Sequence, residues 1–420
     1  MFEKRILTEN CGLIDPKDIN TYLAKQGLQA WRKARKTMTP QQVIEEIKRA
    51  GLRGRGGAGF PCGLKWELVG RAEGEKKYLI CNADEGEVGT FKDRFLIQND
   101  PFSLLEGMAI SAFAIGAEKA FIYLRAEYRY LLEGLRNALR QAEDSGLLEG
   151  LDIEIREGAG AYICGEESAL MNSIEGKRGE ARFRPPFPPV NGLFGFPTII
   201  NNVETLANVP LIIRNGADWY SRMGTKESKG TKLFCVSGDV SRPGIYELEM
   251  GSSLKDLVIG LAGGEDVMMV QVGGSTGRVL PFSMIDIPLA YESVLGSGAV
   301  IVFDHSRDVV DFLYRTMEFL NEESCGLCTP CREGIECLIE VLDRLVNGEG
   351  VQGDLEILEV SCAPMASASL CGLGQSAPTP VRDSLQYFRK AFAGRISQSV
   401  LLRSLKSIPS TGKPASYNQD

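Results

Sequence analysis

The run Cys325-Gly-Leu-Cys328-Thr-Pro-Cys331 constrains this chain more than any other feature. Three thiols at C-x2-C-x2-C spacing, set between two helical patterns, converge on one small object, and a metal centre held this way needs a fourth ligand from elsewhere. The fold must therefore close a distant segment onto residues 325–331. Downstream candidates are Cys337, Cys362 and Cys371. Cys371 is favoured because Ser369-Leu-Cys-Gly-Leu-Gly374 has two glycines that let backbone N–H groups approach cluster sulfurs, whereas Cys337 falls inside a helical pattern and fits a core thiol. Zinc sites usually pair one C-x2-C with a second, absent here, so the spacing predicts a [4Fe–4S] cluster.

His305 is the only histidine in 420 residues. A Ser-His-Asp triad, a Cys-His dyad, a multi-histidine zinc site or a bis-histidine haem would all route through it. It follows a strand-like apolar run, where a solvated strand end is the plain reading. Chemistry is thus expected from carboxylates, lysine, arginine, cysteine or a bound cofactor. The 47 basic and 55 acidic residues give a net charge of -8, which leaves no general basic field for nucleic acid or anionic lipid. No apolar run reaches the ~18 residues needed to span a membrane. Charge interrupts the N-terminal Met-Phe-Glu-Lys-Arg-Ile where a signal peptide would be apolar. These features predict a cytoplasmic protein, without direct membrane insertion, whose eleven cysteines are thiols or metal ligands rather than disulfides.

At ~100–200 residues per domain the length implies two or three domains, and local patterning divides the chain three ways. Thr39-Pro-Gln-Gln42, followed by Val43, Ile44, Ile47, Ala50 and Gly51, carries the N-cap, first-turn proline, capping box, apolar stripe and glycine stop of a helix. Strands at Tyr78–Cys81, Ala120–Leu124 and Ile153–Ile155 then alternate with helices from Pro101 to about Gly116, Tyr128 to about Glu143 and Glu166 to about Ile174, the order of an α/β layer with a largely parallel sheet. From about Gly230 the pattern changes to glycine-punctuated strands at Lys232–Ser237, Gly244–Glu249, Met268–Val272 and Ala299–Phe303, with a short helix near Leu254–Leu261, which predicts a small α+β domain. After Asp308, amphipathic stretches at Val309–Leu320, Glu333–Leu345 and Arg382–Phe392 predict a helical bundle.

Gly51-Leu-Arg-Gly54-Arg-Gly56-Gly57-Ala-Gly59-Phe60-Pro61 contains a formal G-x-G-x-x-G, yet it follows a helix rather than a strand, so the usual dinucleotide inference fails on context. A backbone so stripped of Cβ atoms still suits close approach to a phosphate or a flat ring, and Arg53, Arg55 and Lys65 add positive charge. Asn82-Ala-Asp84-Glu85-Gly-Glu87 places three carboxylates directly after a strand, at the edge where open α/β sheets bind ligands, although a solvated acidic turn has the same spacing. Tyr162-Ile-Cys-Gly-Glu166-Glu167 puts two acids at a helix start, which the helix dipole alone would explain. Arg184-Pro-Pro-Phe187-Pro and Asn201-Asn202-Val-Glu204-Thr205 are compact and turn-like.

Together, Gly54-Arg-Gly-Gly-Ala-Gly-Phe-Pro61, Asn82-Ala-Asp-Glu85, Gly160-Ala-Tyr-Ile-Cys-Gly-Glu-Glu167, Pro185-Pro-Phe-Pro188, Ile200-Asn-Asn-Val-Glu-Thr-Leu-Ala207 and the cysteine run resemble the family of NADH-binding flavin subunits. That family comprises the 51 kDa subunit of respiratory complex I and the diaphorase subunits of NAD-linked hydrogenases and formate dehydrogenases. The resemblance covers roughly residues 10 to 395 in collinear order. It implies an α/β FMN-binding domain with an N-terminal helical extension over 1–229, a ubiquitin-like α+β domain over 230–308 and a helical [4Fe–4S] domain over 309–403, leaving 404–420 as a flexible tail.

Carried over by matching position, Gly54, Arg55, Gly56, Gly57, Gly59, Lys65, Asn82, Asp84, Tyr162, Glu166, Asn201 and Asn202 would hold FMN. Phe60, Glu85, Glu87, Glu167, Arg184 and Phe187 would meet NADH, and Cys325, Cys328, Cys331 and Cys371 the cluster. A carboxylate on a ribose hydroxyl also repels a 2′-phosphate, which favours NADH over NADPH. The cofactors supply the difficult chemistry, hydride from nicotinamide to flavin and then single electrons to the cluster, so no catalytic side chain is expected. Leu68, Arg184 and Val88 depart from the aromatic, lysine and proline common at these positions. The implied activity is that of an NADH:acceptor oxidoreductase subunit beside a small thioredoxin-like [2Fe–2S] subunit and a larger iron–sulfur subunit. Service to a hydrogenase or formate dehydrogenase instead of complex I is the alternative within the family; a non-catalytic scaffold is the alternative outside it.

Overall fold

A computed structural model describes residues 3–397, so the expected tail at 404–420 lies outside the described residues. The chain opens with α1 (Ile19–Ala24), α2 (Gln29–Thr37), α3 (Pro40–Ala50) and α4 (Cys62–Arg71). The expected capping box starts α3: Thr39 Oγ1 accepts from the Gln42 N–H at 3.2 Å, and Gln42 Oε1 from the Thr39 N–H at 2.7 Å. Gly51 ends the helix at φ 69°, a left-handed conformation that glycine adopts freely.

Next come β1 (Tyr78–Ala83), α5 (Lys92–Asn99), α6 (Pro101–Ile115), β2 (Lys119–Leu124), α7 (Leu132–Asp144), β3 (Asp152–Glu157), α8 (Glu167–Ile174), β4 (Thr198–Asn202), α9 (Val203–Asn215) and α10 (Ala217–Ser221). The four strands form one parallel sheet in the order β3-β2-β1-β4, with Tyr78 level with Lys119 on one side and Thr198 on the other. The chain leaves β1 toward β2 and later returns to its opposite flank. The carboxyl ends of β1 and β4 therefore border a topological switch point, where open sheets bind ligands. One apolar core lies between this sheet and α6, α9 and the N-terminal helices.

β5 (Thr231–Gly238), β6 (Gly244–Glu249), β7 (Val267–Val272), β8 (Arg278–Pro281) and β9 (Ala299–Asp304) make a second sheet, ordered β6-β5-β9-β7-β8 and mixed, with only β5 and β9 parallel. It has its own core around Phe234, Val258 and Val300. The last described elements are α11 (Val309–Glu323), α12 (Thr329–Val346), α13 (Asp354–Ala368), α14 (Gly372–Ser376) and α15 (Pro378–Ala393). α11, α12, α13 and α15 pack in a closed circuit, and their core continues onto the first sheet's other face through Ile80, Ile163 and Leu170. Local patterning does not announce the α13 helix, which has Pro364 inside it, nor α9, β4 and β8.

Candidate active site

A cleft of about 650 Å³ opens at the carboxyl edge of β1 and β4, within the ~300–1,000 Å³ of small-molecule sites. The glycine loop forms one wall. The Gly54 N–H donates to Phe60 O at 2.9 Å, Arg53 Nε to Gly59 O at 2.6 Å and Tyr291 Oη to Gly54 O at 2.5 Å, which fixes the loop at both ends. A Cβ on Gly59, at φ 65°, would lie 2.3 Å from the Tyr291 ring, so no side chain fits there. Between these ties, the N–H groups of Gly56, Gly57 and Ala58 have no acceptor among the described residues. They are free donors on the cleft wall.

Asn82, Asp84, Tyr162, Glu166 and Asn202 also line the cleft. Most are oriented by backbone: Asn82 Nδ2 donates to Gly165 O at 2.9 Å, Asn202 Oδ1 accepts from the Glu204 N–H at 3.0 Å, and Glu166 Oε2 accepts from the N–H groups of Ser168 and Ala169 at 2.9 and 3.0 Å. The last two residues cap α9 and α8, so side chains that face the cleft also start the helices beneath it. Asp84 differs. Its Oδ2 is buried without a hydrogen-bond partner, and burial pushes its carboxyl up to about 7. Glu87 accepts from Tyr162 Oη at 2.8 Å and from the N–H and Oγ of Ser275 at 2.7 and 2.6 Å, with burial raising its pKa.

Lys92 and Asp93 line the cleft and continue into the interior: Lys92 Nζ contacts Asp93 at 2.7 Å and Glu204 at 2.9 Å, and Lys232 Nζ contacts Glu204 at 3.2 Å and Arg55 O at 3.0 Å. These side chains are essentially inaccessible to water. Burial would raise the Glu204 pKa, but Lys232, then Lys92 and Arg55, hold it below the ordinary carboxylate range. Glu204 thereby joins α9, β5 and the glycine loop in one buried charge network.

Cys325, Cys328, Cys331 and Cys371 ring a second, small cavity together with Leu327, Leu370, Ile163 and Leu373. Three come from the turn into α12 and the fourth from the residue before α14. A Cβ on Gly374 would lie 2.8 Å from Cys331 Cβ, which explains the glycine beside the remote cysteine. The Leu370 N–H donates to Cys328 Sγ at 3.5 Å, the kind of backbone approach expected around cluster sulfurs. Cys362 is buried in α13, its thiol donating to Leu358 O at 3.1 Å, and takes no part in this cavity. Cys337 lies in α12 as expected but is half-buried, 3.6 Å from Ser361 Oγ, rather than a core thiol.

Residues 47–211 match the family profile described as the Nuo51 FMN-binding domain, and residues 311–395 that of the NADH-ubiquinone oxidoreductase-F iron-sulfur binding region. Residues 233–267 match the SLBB domain. An NADH-quinone oxidoreductase subunit of Rhizobium meliloti is 45% identical over 416 residues, covering 95% of this chain and 99% of that one. The chain belongs to the family of NADH-binding flavin subunits. Within that family, the NAD-reducing hydrogenase HoxS subunit alpha of Cupriavidus necator is 45% identical over 86% of this chain, which spans 61% of that relative. A crystal structure of NAD+-reducing [NiFe]-hydrogenase in the H2-reduced state superposes with a TM-score of 0.83 at 42% identity, covering 91% of this chain and 69% of that one.

The cofactors of this family fit the two cavities. Three free N–H donors and the orphaned Asp84 Oδ2 are unmet needs that a phosphorylated, hydroxyl-bearing flavin satisfies, and four thiols around one cavity are the donor set of a [4Fe–4S] cluster. Several expected ligands, however, do not line the cleft. The Arg55 guanidinium is buried beneath the loop, donating to Tyr220 Oη at 3.0 Å and Lys229 O at 2.6 Å, because its own N–H is tied to Thr205 and Glu204 draws the charge inward. It supports the loop instead of reaching into the cleft. Asn201 Oδ1 accepts from Trp66 Nε1 at 2.9 Å. Lys65 Nζ donates to Glu167 at 2.8 Å and Ile200 O at 3.0 Å, and Arg184 pairs with both Glu166 and Glu167. Glu85 lies in the cleft wall, but its carboxylate accepts from the N–H groups of Asp93 and Arg94 and from Tyr128 Oη, committing it to the start of α5. Phe60 and Phe187 are 47% and 54% exposed, outside the cleft wall.

Sequence patterns do not point to Lys92 and Asp93, nor to the second-sheet connections at 272–278 and 291–297 that close the cleft. Gly273-Gly274 is the available signal: a Cβ on Gly274 would lie 2.0 Å from Glu87 Cδ.

Proposed function

We propose that this chain takes hydride from NADH onto FMN held in the cleft and passes single electrons to a [4Fe–4S] cluster at Cys325, Cys328, Cys331 and Cys371, for delivery to partner iron–sulfur subunits. One observation carries the reading: the four-cysteine cavity lies directly behind the cleft, separated from it by the segment 371–373. Bound there, FMN and the cluster together supply hydride acceptance and one-electron carriage. The chain's own residues bind and orient. The N–H groups of Gly56, Gly57 and Ala58 meet flavin phosphate or ring atoms, Asp84 Oδ2 accepts from a flavin hydroxyl or N–H, and Asn82, Asn202, Tyr162 and Glu166 shape the floor. Arg55 and Asn201 serve the flavin indirectly, by fixing the loop and β4.

Glu87 and Glu167 face incoming NADH, Phe60 and Phe187 supply stacking surfaces at the mouth, and Lys65 and Arg184 hold Glu167 ionised. In that state it favours a ribose hydroxyl over a 2′-phosphate. The 230–308 segment, a mixed five-stranded sheet with a short helical segment at Asp256–Leu261 in its core, is a ubiquitin-like domain; within the described residues, 1–229 and 309–403 supply the flavin domain and a helical iron–sulfur bundle. The chain works in the cytoplasm beside a thioredoxin-like [2Fe–2S] subunit and a larger iron–sulfur subunit, of complex I or, as the hydrogenase likeness also supports, of an NAD-linked hydrogenase. Among the described residues no helix is long and apolar enough to cross a membrane.

Anaerobic purification tests this. Stoichiometric FMN, four irons and NADH–ferricyanide activity are expected; zinc at the thiols with no flavin and no activity refutes it.

A further inference from the structure

Two residues, both apolar, belong to both cavities. Ile163, in the turn after Tyr162, and Leu373, two residues beyond Cys371, line the cleft on one side and the four-cysteine cavity on the other, and among the described residues no other does. They are 6% and 8% exposed and share an apolar cluster with Cys331 and Cys371. Gly372 lines the cleft while Cys371 lines the cavity, so the partition is one residue thick along the chain. Its two faces differ in polarity. The cleft wall carries Asp84, Glu85, Glu87, Glu166, Lys92 and Arg278, whereas the cavity wall offers, besides thiols, only Ser324 among apolar side chains.

We propose that Ile163 and Leu373 form an aliphatic septum that keeps cleft water off the inner face of the cluster and so holds the cluster's reduction potential down. Reduction adds negative charge, which water stabilises and a dry apolar wall does not, and solvent exposure is one of the levers that set iron–sulfur potentials. The septum adds no bond-making step. It sets the medium through which single electrons supplied by NADH pass, with Gly372 leaving a short covalent route to Cys371. The proposal rests on the flavin and cluster reading above.

The test is a redox titration of the assembled holoenzyme followed by EPR, with Leu373→Ala and Ile163→Ala compared against wild type and Leu373→Met. Both alanine variants should show about threefold more reduced than oxidised cluster at the wild-type midpoint potential, a one-electron Nernst ratio. Flavin and iron contents should stay at wild type, and Leu373→Met should titrate as wild type. Alanine variants with full cofactor content whose titrations superimpose on wild type overturn the septum and leave the site reading standing. Wild-type protein without flavin or iron overturns the reading itself. If Leu373→Ala loses its cluster, Ile163→Ala, which adjoins no ligand cysteine in sequence, decides the matter.

Discussion

Replacing Asp84 by asparagine should make the flavin-depleted protein more stable and its flavin affinity worse. Burial holds the Asp84 carboxyl up to about 7 against an ordinary value of 3.8, and Oδ2 has no internal donor. The folded state therefore binds a proton that the unfolded state has released between these values, so ionising Asp84 erodes stability as pH rises from about 4 to 7, after which the loss is complete. Roughly three pH units at about 1.4 kcal/mol each give a ceiling of about 4 kcal/mol. Residual solvent around this incompletely buried residue reduces the expected gain to about 2 kcal/mol. Guanidinium unfolding midpoints of flavin-depleted wild type and Asp84→Asn, compared at about pH 5 and about pH 8, should differ at the higher pH and converge toward the lower. Loss of a hydrogen bond to a charged acceptor should weaken FMN by about ten- to a hundredfold, read by flavin fluorescence. Equal stability effects at both pH values, or unchanged FMN affinity, would refute the view of Asp84 as a carboxylate left unpaired for a ligand.

Three further outcomes follow from the geometry. Glu204→Ala leaves buried Lys232 without a carboxylate partner and Lys92 with Asp93 alone, and should cost about 3–5 kcal/mol, seen as a lower thermal midpoint; because the wild-type carboxylate is held below its ordinary range, its contribution is present above about pH 4.5 and disappears as pH falls through the depressed folded value. Glu167→Ala should let NADPH compete, measured as the ratio of kcat/KM for the two nucleotides; an unchanged ratio removes Glu167 from that role. Cys371→Ser should disturb the cluster EPR signal with FMN still bound, whereas Cys362→Ser, whose thiol donates to Leu358 O away from the four-cysteine cavity, should leave it intact; the reverse result would move the fourth ligand.

Features whose signal is local are legible from the residues alone. The α3 helix, with its capping box and glycine stop, occurs where the residues place it, and the alternation of strands and helices produces the parallel sheet. Short-range hydrogen bonds and apolar periodicity determine such elements, and both are written within a dozen residues. Less legible are α9 and α13, each with an internal proline, because that residue ordinarily argues against a helix and only packing on neighbours offsets the lost bond.

By itself the sequence narrowed the chemistry: a single histidine leaves little room for histidine-centred catalysis, the C-x2-C-x2-C run predicts an iron–sulfur cluster, and the collinear motifs carry the resemblance that implies FMN and NADH. Tertiary structure decided which of the candidate residues line the cleft. Arg55 and Glu85 read as ligands in one dimension, yet their charged groups are committed to Tyr220, Lys229 and the start of α5. Lys92 and the turn at Gly273-Gly274 read as nothing and close the cleft. The physical reason is that a buried polar group must be satisfied wherever the chain brings a partner. Which partner arrives is fixed by contacts between segments far apart in the chain, and no local pattern encodes those.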